Sequence, residues 1–227
     1  MLIAEIGNCH LGDVKKFKEM IRIANESGAD LIKGQAFKAE DIRHGSMPLH
    51  FYKMCQLAEE QLIELVDYAR GIGNDLFFSV FSKGFEKLER HQKWKKISGG
   101  QFREGMYNFK DDDYFTVVSI PKDCMDKPLP VIRYASVLYV SEYLVKDPEL
   151  RNITALTERI GQQVGYSDHC IGVDMAIAAF RDYGASVVEK HFSLDKEYIY
   201  HGQSFRDSVH SANPKQLEEL ATAIGSI

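Results

Sequence analysis

Short apolar stretches alternate with amphipathic ones from one end of the chain to the other, and this alternation limits the folds open to it. Leu2–Ile6 reads as a buried strand. Val14–Ser27 follows as a helix, with Phe17, Met20, Ile21, Ile23 and Ala24 near the 3.6-residue period, and Gly28 stands where a helix C-cap would. Asp30–Gln35, Leu76–Phe81, Trp94–Ser98, Phe115–Ile120, Val131–Ala135, Gln163–Ser167 and Val187–Phe192 read as seven further strands. Helices are expected over Leu57–Arg70, Phe85–His91, Ser141–Ile160 (broken near Pro148), Ile171–Tyr183 and Pro214–Ile224, and a long loop over Phe37–Gln56. Eight strands alternating with helices predict an α/β protein, a (β/α)8 TIM barrel. Only ten residues, three of them proline, separate the fifth and sixth strands, so the helix between them should be shortened or missing. The alternative, an open doubly wound sheet, would carry a glycine-rich phosphate turn after a strand, and none is present.

The 227 residues suit a single domain over 1–227. With 28 basic and 33 acidic residues the net charge is −5, which offers no electrostatic footprint for nucleic acid. No apolar run is long enough to span a membrane. The start lacks a basic segment and places Glu5 inside its apolar stretch, which reads as a strand rather than a signal peptide. Cys9, Cys55, Cys124 and Cys170 are scattered and form no metal framework, so reduced thiols in a cytoplasm are expected.

In such a barrel the chemistry lies at the C-terminal ends of the strands. The polar residues there are Glu5, Asn8 and His10 on the first; Lys33 and Gln35 on the second; Ser79 and Ser82 on the third; and Lys96, Ser98 and Gln101 on the fourth. Ser136 and Tyr139 follow the sixth, Ser167, Asp168 and His169 the seventh, and Glu189, Lys190 and His191 the eighth. His169 and His191 fall on adjacent strands at one rim, as two ligands of a divalent metal or as two hydrogen-bonded histidines. Lys33, inside an apolar stretch, needs a phosphate, a carboxylate ligand or an ion-pair partner such as Glu5. His44, His50, His91, His201 and His210 read as solvent-facing, and Asp111–Asp113 as a solvated loop.

In this order the segments IAEIGNCHLGD, GADLIKGQAFKAEDI, FFSVFS, KKISGGQ and GYSDHCIGVDMAIAAFRDYGASVVEKHFSLDK resemble the sialic acid synthase family. The resemblance implies a barrel domain alone, without the family's C-terminal antifreeze-like domain. It implies condensation of phosphoenolpyruvate with an aldehyde-form N-acyl sugar, with release of phosphate. His169 and His191 match metal ligands, the metal typically manganese. Lys33 and Lys96 match lysines that hold phosphoenolpyruvate, and Ser167 a phosphate-side serine. Glu5, Gln35 and Tyr139 match residues near the sugar, and Ser79 lies in the matching third strand. Gln101 stands where the family has a catalytic acid, Gly99 and Val80 replace a serine and a threonine, and Val137 replaces an asparagine. The family's acid-bearing turn near the end reads Gly202–Phe205 here, with its acid absent. Family members are dimers, so a homo-oligomer is among the expectations. A metal-dependent aldolase or isomerase working without phosphoenolpyruvate, and a non-catalytic metal- or ligand-binding protein, are the alternatives.

Overall fold

The structure, a computed structural model, describes residues 1–42, 47–106, 115–128, 135–194, 199–200 and 203–227. Eight parallel strands close into a barrel in chain order. They are β1 (Leu2–Glu5), β2 (Leu31–Ala36), β3 (Asp75–Val80), β4 (Trp94–Ile97), β5 (Phe115–Pro121), β6 (Ala135–Val140), β7 (Gly165–Asp168) and β8 (Val188–His191), and β8 pairs back onto β1. Around them run α1 (Val14–Glu26), α2 (Leu49–Cys55), α3 (Glu59–Gly71), α4 (Glu86–His91), α5 (Gly99–Glu104), α6 (Arg151–Ile160), α7 (Asp174–Tyr183), α8 (Arg206–Val209) and α9 (Pro214–Ile224). A two-stranded hairpin, β9 (Ile199–Tyr200) with β10 (Gln203–Ser204), precedes α8. No helix among the described residues is long and apolar enough to cross a membrane.

Between β5 and β6 the described residues form only a 3-10 turn, Lys122–Cys124, as the short spacing predicts. Local chemistry explains the helix ends. Asp13 accepts from the amides of Lys15 and Lys16 at the start of α1, and Asn213 caps α9 ahead of Pro214. Gly161, Gly184 and Gly225 close α6, α7 and α9 in the left-handed conformation.

The strands sort their side chains by the period of two. Ile3, Leu31, Phe77, Val117, Leu138 and Val187 meet inside the barrel as an apolar plug. One step toward the C-terminal rim, the inward positions turn polar: Glu5, Lys33, Ser79, Ser119 and Glu189, joined by Lys96 and Ser167. The opposite faces, among them Leu2, Ala4, Ile32, Leu76 and Phe78, pack against the helices.

Four expectations need correction. The described sixth strand is Ala135–Val140 and so runs past the expected Val131–Ala135, of which residues 131–134 lie outside the described residues; a strand covered on both faces stays apolar on both, and the run Val137–Val140 belongs to it. This register turns Val137 and Tyr139 outward. Tyr139 packs with Val118, Ile120 and Tyr166 beneath the helices, and its hydroxyl donates to the Pro148 carbonyl at 3.0 Å. It is therefore no sugar-side residue, and Val137 stands at no ligand position. The helix expected over 141–160 is confined to α6, and Leu144 and Glu149 take positive φ in the irregular chain before it. The loop expected over 37–56 contains α2, whose Phe51, Tyr52 and Cys55 are buried.

Candidate active site

The polar layer is a set of charges that neutralise one another. Strand register sets Glu5 opposite Lys33 on one side and His191 on the other. Lys33 Nζ lies 2.6 Å from Glu5 Oε2 and 3.0 Å from Glu189 Oε1. Across the barrel, Lys96 Nζ reaches Glu189 Oε2 at 2.8 Å and donates to Ser119 Oγ at 2.8 Å. Ser167 Oγ donates to Glu189 Oε1 at 2.9 Å, and the Gly7 amide donates to Glu5 Oε1 at 2.7 Å. Glu189, a residue without an assigned role in the sequence reading, is thus the hub. Of the two readings of Lys33, the ion pair with Glu5 is present.

All four charged groups are buried. Burial brings the Lys33 ammonium down to about 7, opposed by Glu189 and assisted by the like charge of Lys96. Burial also lowers Lys96. For Glu189 burial acts upward, but the charges of Lys33 and Lys96 outweigh it and hold the carboxyl well below the usual range. Ser79 is buried opposite Lys96 in the register, and Gln35 Oε1 accepts from Asn8 Nδ2 at 3.3 Å.

His169 and His191 extend β7 and β8 to the same rim, their ring centroids 5.4 Å apart. His169 Nδ1 meets the Ser141 carbonyl at 2.9 Å, so that nitrogen carries the proton and Nε2 keeps a lone pair. His191 Nδ1 is buried with no hydrogen-bond partner among the described residues. Burial holds the His169 ring neutral down to about 4, and burial with the neighbouring His210 and His169 lowers His191 well below its usual value. Neutral imidazoles with an unsatisfied buried nitrogen fit a divalent transition metal.

A third imidazole joins them. His210, expected on the surface, is fully buried, and one ligand nitrogen from each of His169, His191 and His210 lies within 4.8 Å of the others. The signal available for it was positional: in a barrel every residue between β8 and the last helix belongs to the catalytic face. Of the other histidines, His50 is exposed, and His91 pairs with Asp67 at 2.7 Å. His44, His201 and Asp111–Asp113 lie outside the described residues.

Nor is the terminal segment without an acid. Asp207 on α8 stands near the same rim, where a methyl added to Gly7 would lie 3.1 Å from Asp207 Oδ2 and 3.4 Å from His191 Nδ1. Two expected site residues are engaged elsewhere. Gln101 lies in α5, where Oε1 accepts from the Ser98 amide at 3.0 Å and Nε2 donates to the Val80 carbonyl at 2.8 Å. It caps the helix instead of ending a strand. His10 stacks on Phe17 at 4.6 Å and accepts from the Gly12 amide at 3.0 Å, and burial takes its ring down to about 3.

The chain is similar to known proteins in sequence and in fold. Residues 139–227 match the model of the NeuB family. N,N'-diacetyllegionaminic acid synthase of Legionella pneumophila is 26% identical over 274 residues, spanning 98% of this chain and 70% of that protein. N-acetylneuraminate-9-phosphate synthase of Mus musculus is 28% identical over 258 residues, spanning 98% of this chain and 68% of that one. In fold, the crystal structure of N-acetylneuraminic acid (sialic acid) synthetase from Leptospira borgpetersenii superposes with a TM-score of 0.83 at 22% identity, over 99% of this chain and 82% of that chain. The chain is therefore similar to these synthases along nearly its whole length, and the match to the NeuB family model lies in residues 139–227.

Proposed function

We propose that this barrel is a sialic acid synthase-like transferase that joins phosphoenolpyruvate to the aldehyde form of an N-acyl sugar, with addition of water and release of phosphate. The observation that carries the reading is the juxtaposition, at one rim, of the buried Lys33–Glu189–Lys96 cluster and the histidines of β7 and β8. The named synthases among the homologues support it. His169 and His191 would hold a divalent metal, manganese by resemblance, whose chemistry when bound is Lewis-acid polarisation of the sugar carbonyl.

The chain's own residues have separable tasks. Lys33 and Lys96 bind the phosphate and carboxylate of phosphoenolpyruvate, with Ser167 and Ser79 beside them. Glu5 and Gln35 orient the sugar. In the resting cluster two lysines face two glutamates, so an incoming anion must draw the ammonium groups partly away from Glu189. Glu189 thereby keeps both lysines in place before substrate arrives, as preorganised electrostatic stabilisation requires. Gln101 has no proton to transfer at neutral pH and holds α5 instead. The four cysteines are buried free thiols, which supports work in a reducing compartment such as the cytoplasm.

The neutral cluster and the engaged Gln101 amide also favour a second reading, an aldol cleavage or isomerisation of a sugar-like carbonyl compound without phosphoenolpyruvate. Both are tested by incubating the protein with Mn²⁺, phosphoenolpyruvate and a panel of N-acyl hexosamines while following free phosphate. Acceptor-dependent phosphate release is expected. No release with any acceptor at saturating metal would overturn the first reading, and turnover of a carbonyl substrate without phosphoenolpyruvate would establish the second.

A further inference from the structure

We propose that His210 is a third protein ligand of the metal, so that the ion is held by three imidazoles, from β7, from β8 and from the turn after α8. The inference deepens the preceding reading and rests on its metal site.

Geometry carries it. The His210 ring centroid lies 4.5 Å from that of His191 and 5.3 Å from that of His169, nearly perpendicular to both. The three ligand nitrogens fall within 4.8 Å of one another, and all three rings are buried. Imidazole nitrogens around a single ion at roughly 2.0–2.1 Å each must lie within about 4.2 Å of one another, so a small inward rotation of the rings completes the set.

The backbone fixes the third ring as firmly as the other two. The Ala212 amide donates to the His191 carbonyl at 2.7 Å, and the Ser193 amide returns a bond to the Ala212 carbonyl at 3.0 Å. Ala212 thus pairs with Phe192 in a parallel bridge that prolongs β8. Two residues before that bridge, His210 is held beside His191, while Ser208 Oγ donates to the Phe205 carbonyl and shapes the turn. His169 has its own backbone anchor on Ser141, and Tyr143 stacks on its outer face at 4.2 Å. A flexible surface histidine would need none of this construction.

Three imidazole nitrogen donors leave positions on a divalent ion for oxygen atoms of a substrate, and they retain the ion when no substrate is bound. The test uses metal alone. Co²⁺ is titrated into the metal-free full chain by calorimetry and visible absorption, and X-ray absorption counts the imidazoles on the bound ion. Three imidazoles are expected in the wild type, two in His210→Gln, with affinity reduced at least tenfold. Two imidazoles in the wild type, or unchanged affinity in a folded His210→Gln, overturns the third ligand while leaving the synthase reading intact. No Co²⁺ binding by the wild type overturns the metal site of both, whereas a failed phosphate-release assay with intact Co²⁺ binding overturns only the synthase reading. The imidazole count needs no variant, so the proposal stays testable even if His210→Gln fails to fold.

Discussion

The arc of the barrel made by β7, β8, β1 and β2 differs sharply from the arc made by β3 to β6. The first buries Glu5, Lys33, Asp168, Glu189 and Lys190 together with His169 and His191. To the same charge cluster the second contributes Lys96 and Ser119, while Val137 and Tyr139 face its helices and Gln101 caps one of them. The two arcs also differ in covering. The first carries α1, α7 and α9, each of ten residues or more, whereas the described connections between the strands of the second have six-residue helices and a 3-10 turn, and a ten-residue helix, α6, comes only after β6. The difference teaches where constraint resides. A buried charge is costly unless its partner is also present, so such residues persist as sets. An apolar wall accepts many substitutions of similar volume.

The largest effect that would sharpen this comparison is expected at Lys190. Its ammonium lies 2.8 Å from Asp168 Oδ2 and donates to the Cys170 carbonyl, all in the layer between barrel and helices. Asp168 Oδ1 also accepts from Tyr166 Oη and from the Cys170 amide. The pair therefore braces β7 and β8 from behind the site. Lys190→Met should leave a buried carboxylate without its cation and cost about 3–5 kcal/mol in urea unfolding. Arg103→Met in the other arc, which removes an exposed pair with Asp123, should cost a small fraction of that. Equal losses would abolish the distinction between the arcs.

Next in size is Leu156→Ala on α6, fully buried in the helix layer of the second arc. The cavity should cost about 2–5 kcal/mol. Because that layer lies away from the rim, Co²⁺ affinity of the folded variant should match the wild type. A parallel loss of metal affinity would mean that the second arc positions the site after all.

The same contrast governs what could be read from the sequence. The barrel was legible because strand–helix alternation is repeated along the whole chain, and the limits of α9 follow from Asn213–Pro214 and Gly225. His169, His191, Lys33 and Lys96 were legible because ionisable residues inside apolar strands stand out, and the structure brings all four to one rim. Glu189 as the hub was not, since pairing across the barrel depends on register rather than on spacing. Asp207 on α8 and His210 in the turn after it lie in a segment placed by the Phe192–Ala212 bridge, a long-range contact without a local signature. Tyr139 was misplaced for a simpler reason. In a strand buried on both faces hydrophobicity does not alternate, and a register error of one residue reverses every side chain.

A smaller and pH-dependent effect is expected at Lys33. Its ammonium, brought down to about 7 by burial, faces Glu5 from β1, Lys96 from β4 and Glu189 from β8, with Asp207 contributing at longer range. If Lys33 binds phosphate, affinity for inorganic phosphate should fall as pH rises through about 7. Stability should move the other way. Between about 7 and the ordinary lysine value the unfolded chain binds more protons than the folded one, so this group makes stability increase with pH there. Lys33→Met should flatten both profiles, and an unchanged phosphate profile would remove the anion role.

The smallest effect is expected at Gln101, and it decides whether the second arc takes part in the chemistry. The side chain makes two bonds, from the Ser98 amide and to the Val80 carbonyl, and both tie α5 to the ends of β4 and β3. If that is its whole role, Gln101→Ala should cost about 0.5–2 kcal/mol, the usual loss of a helix cap, and leave kcat/KM within a few-fold. Gln101→Glu should not raise turnover. Its carboxylate would keep the bond from Ser98 but face the Val80 carbonyl with no proton to donate, so it should be less stable than the parent without gaining a positioned acid. A rise in kcat for Gln101→Glu with a new acidic limb in the pH profile would show that the side chain can swing from the cap to the rim, and that the second arc holds a place for an acid.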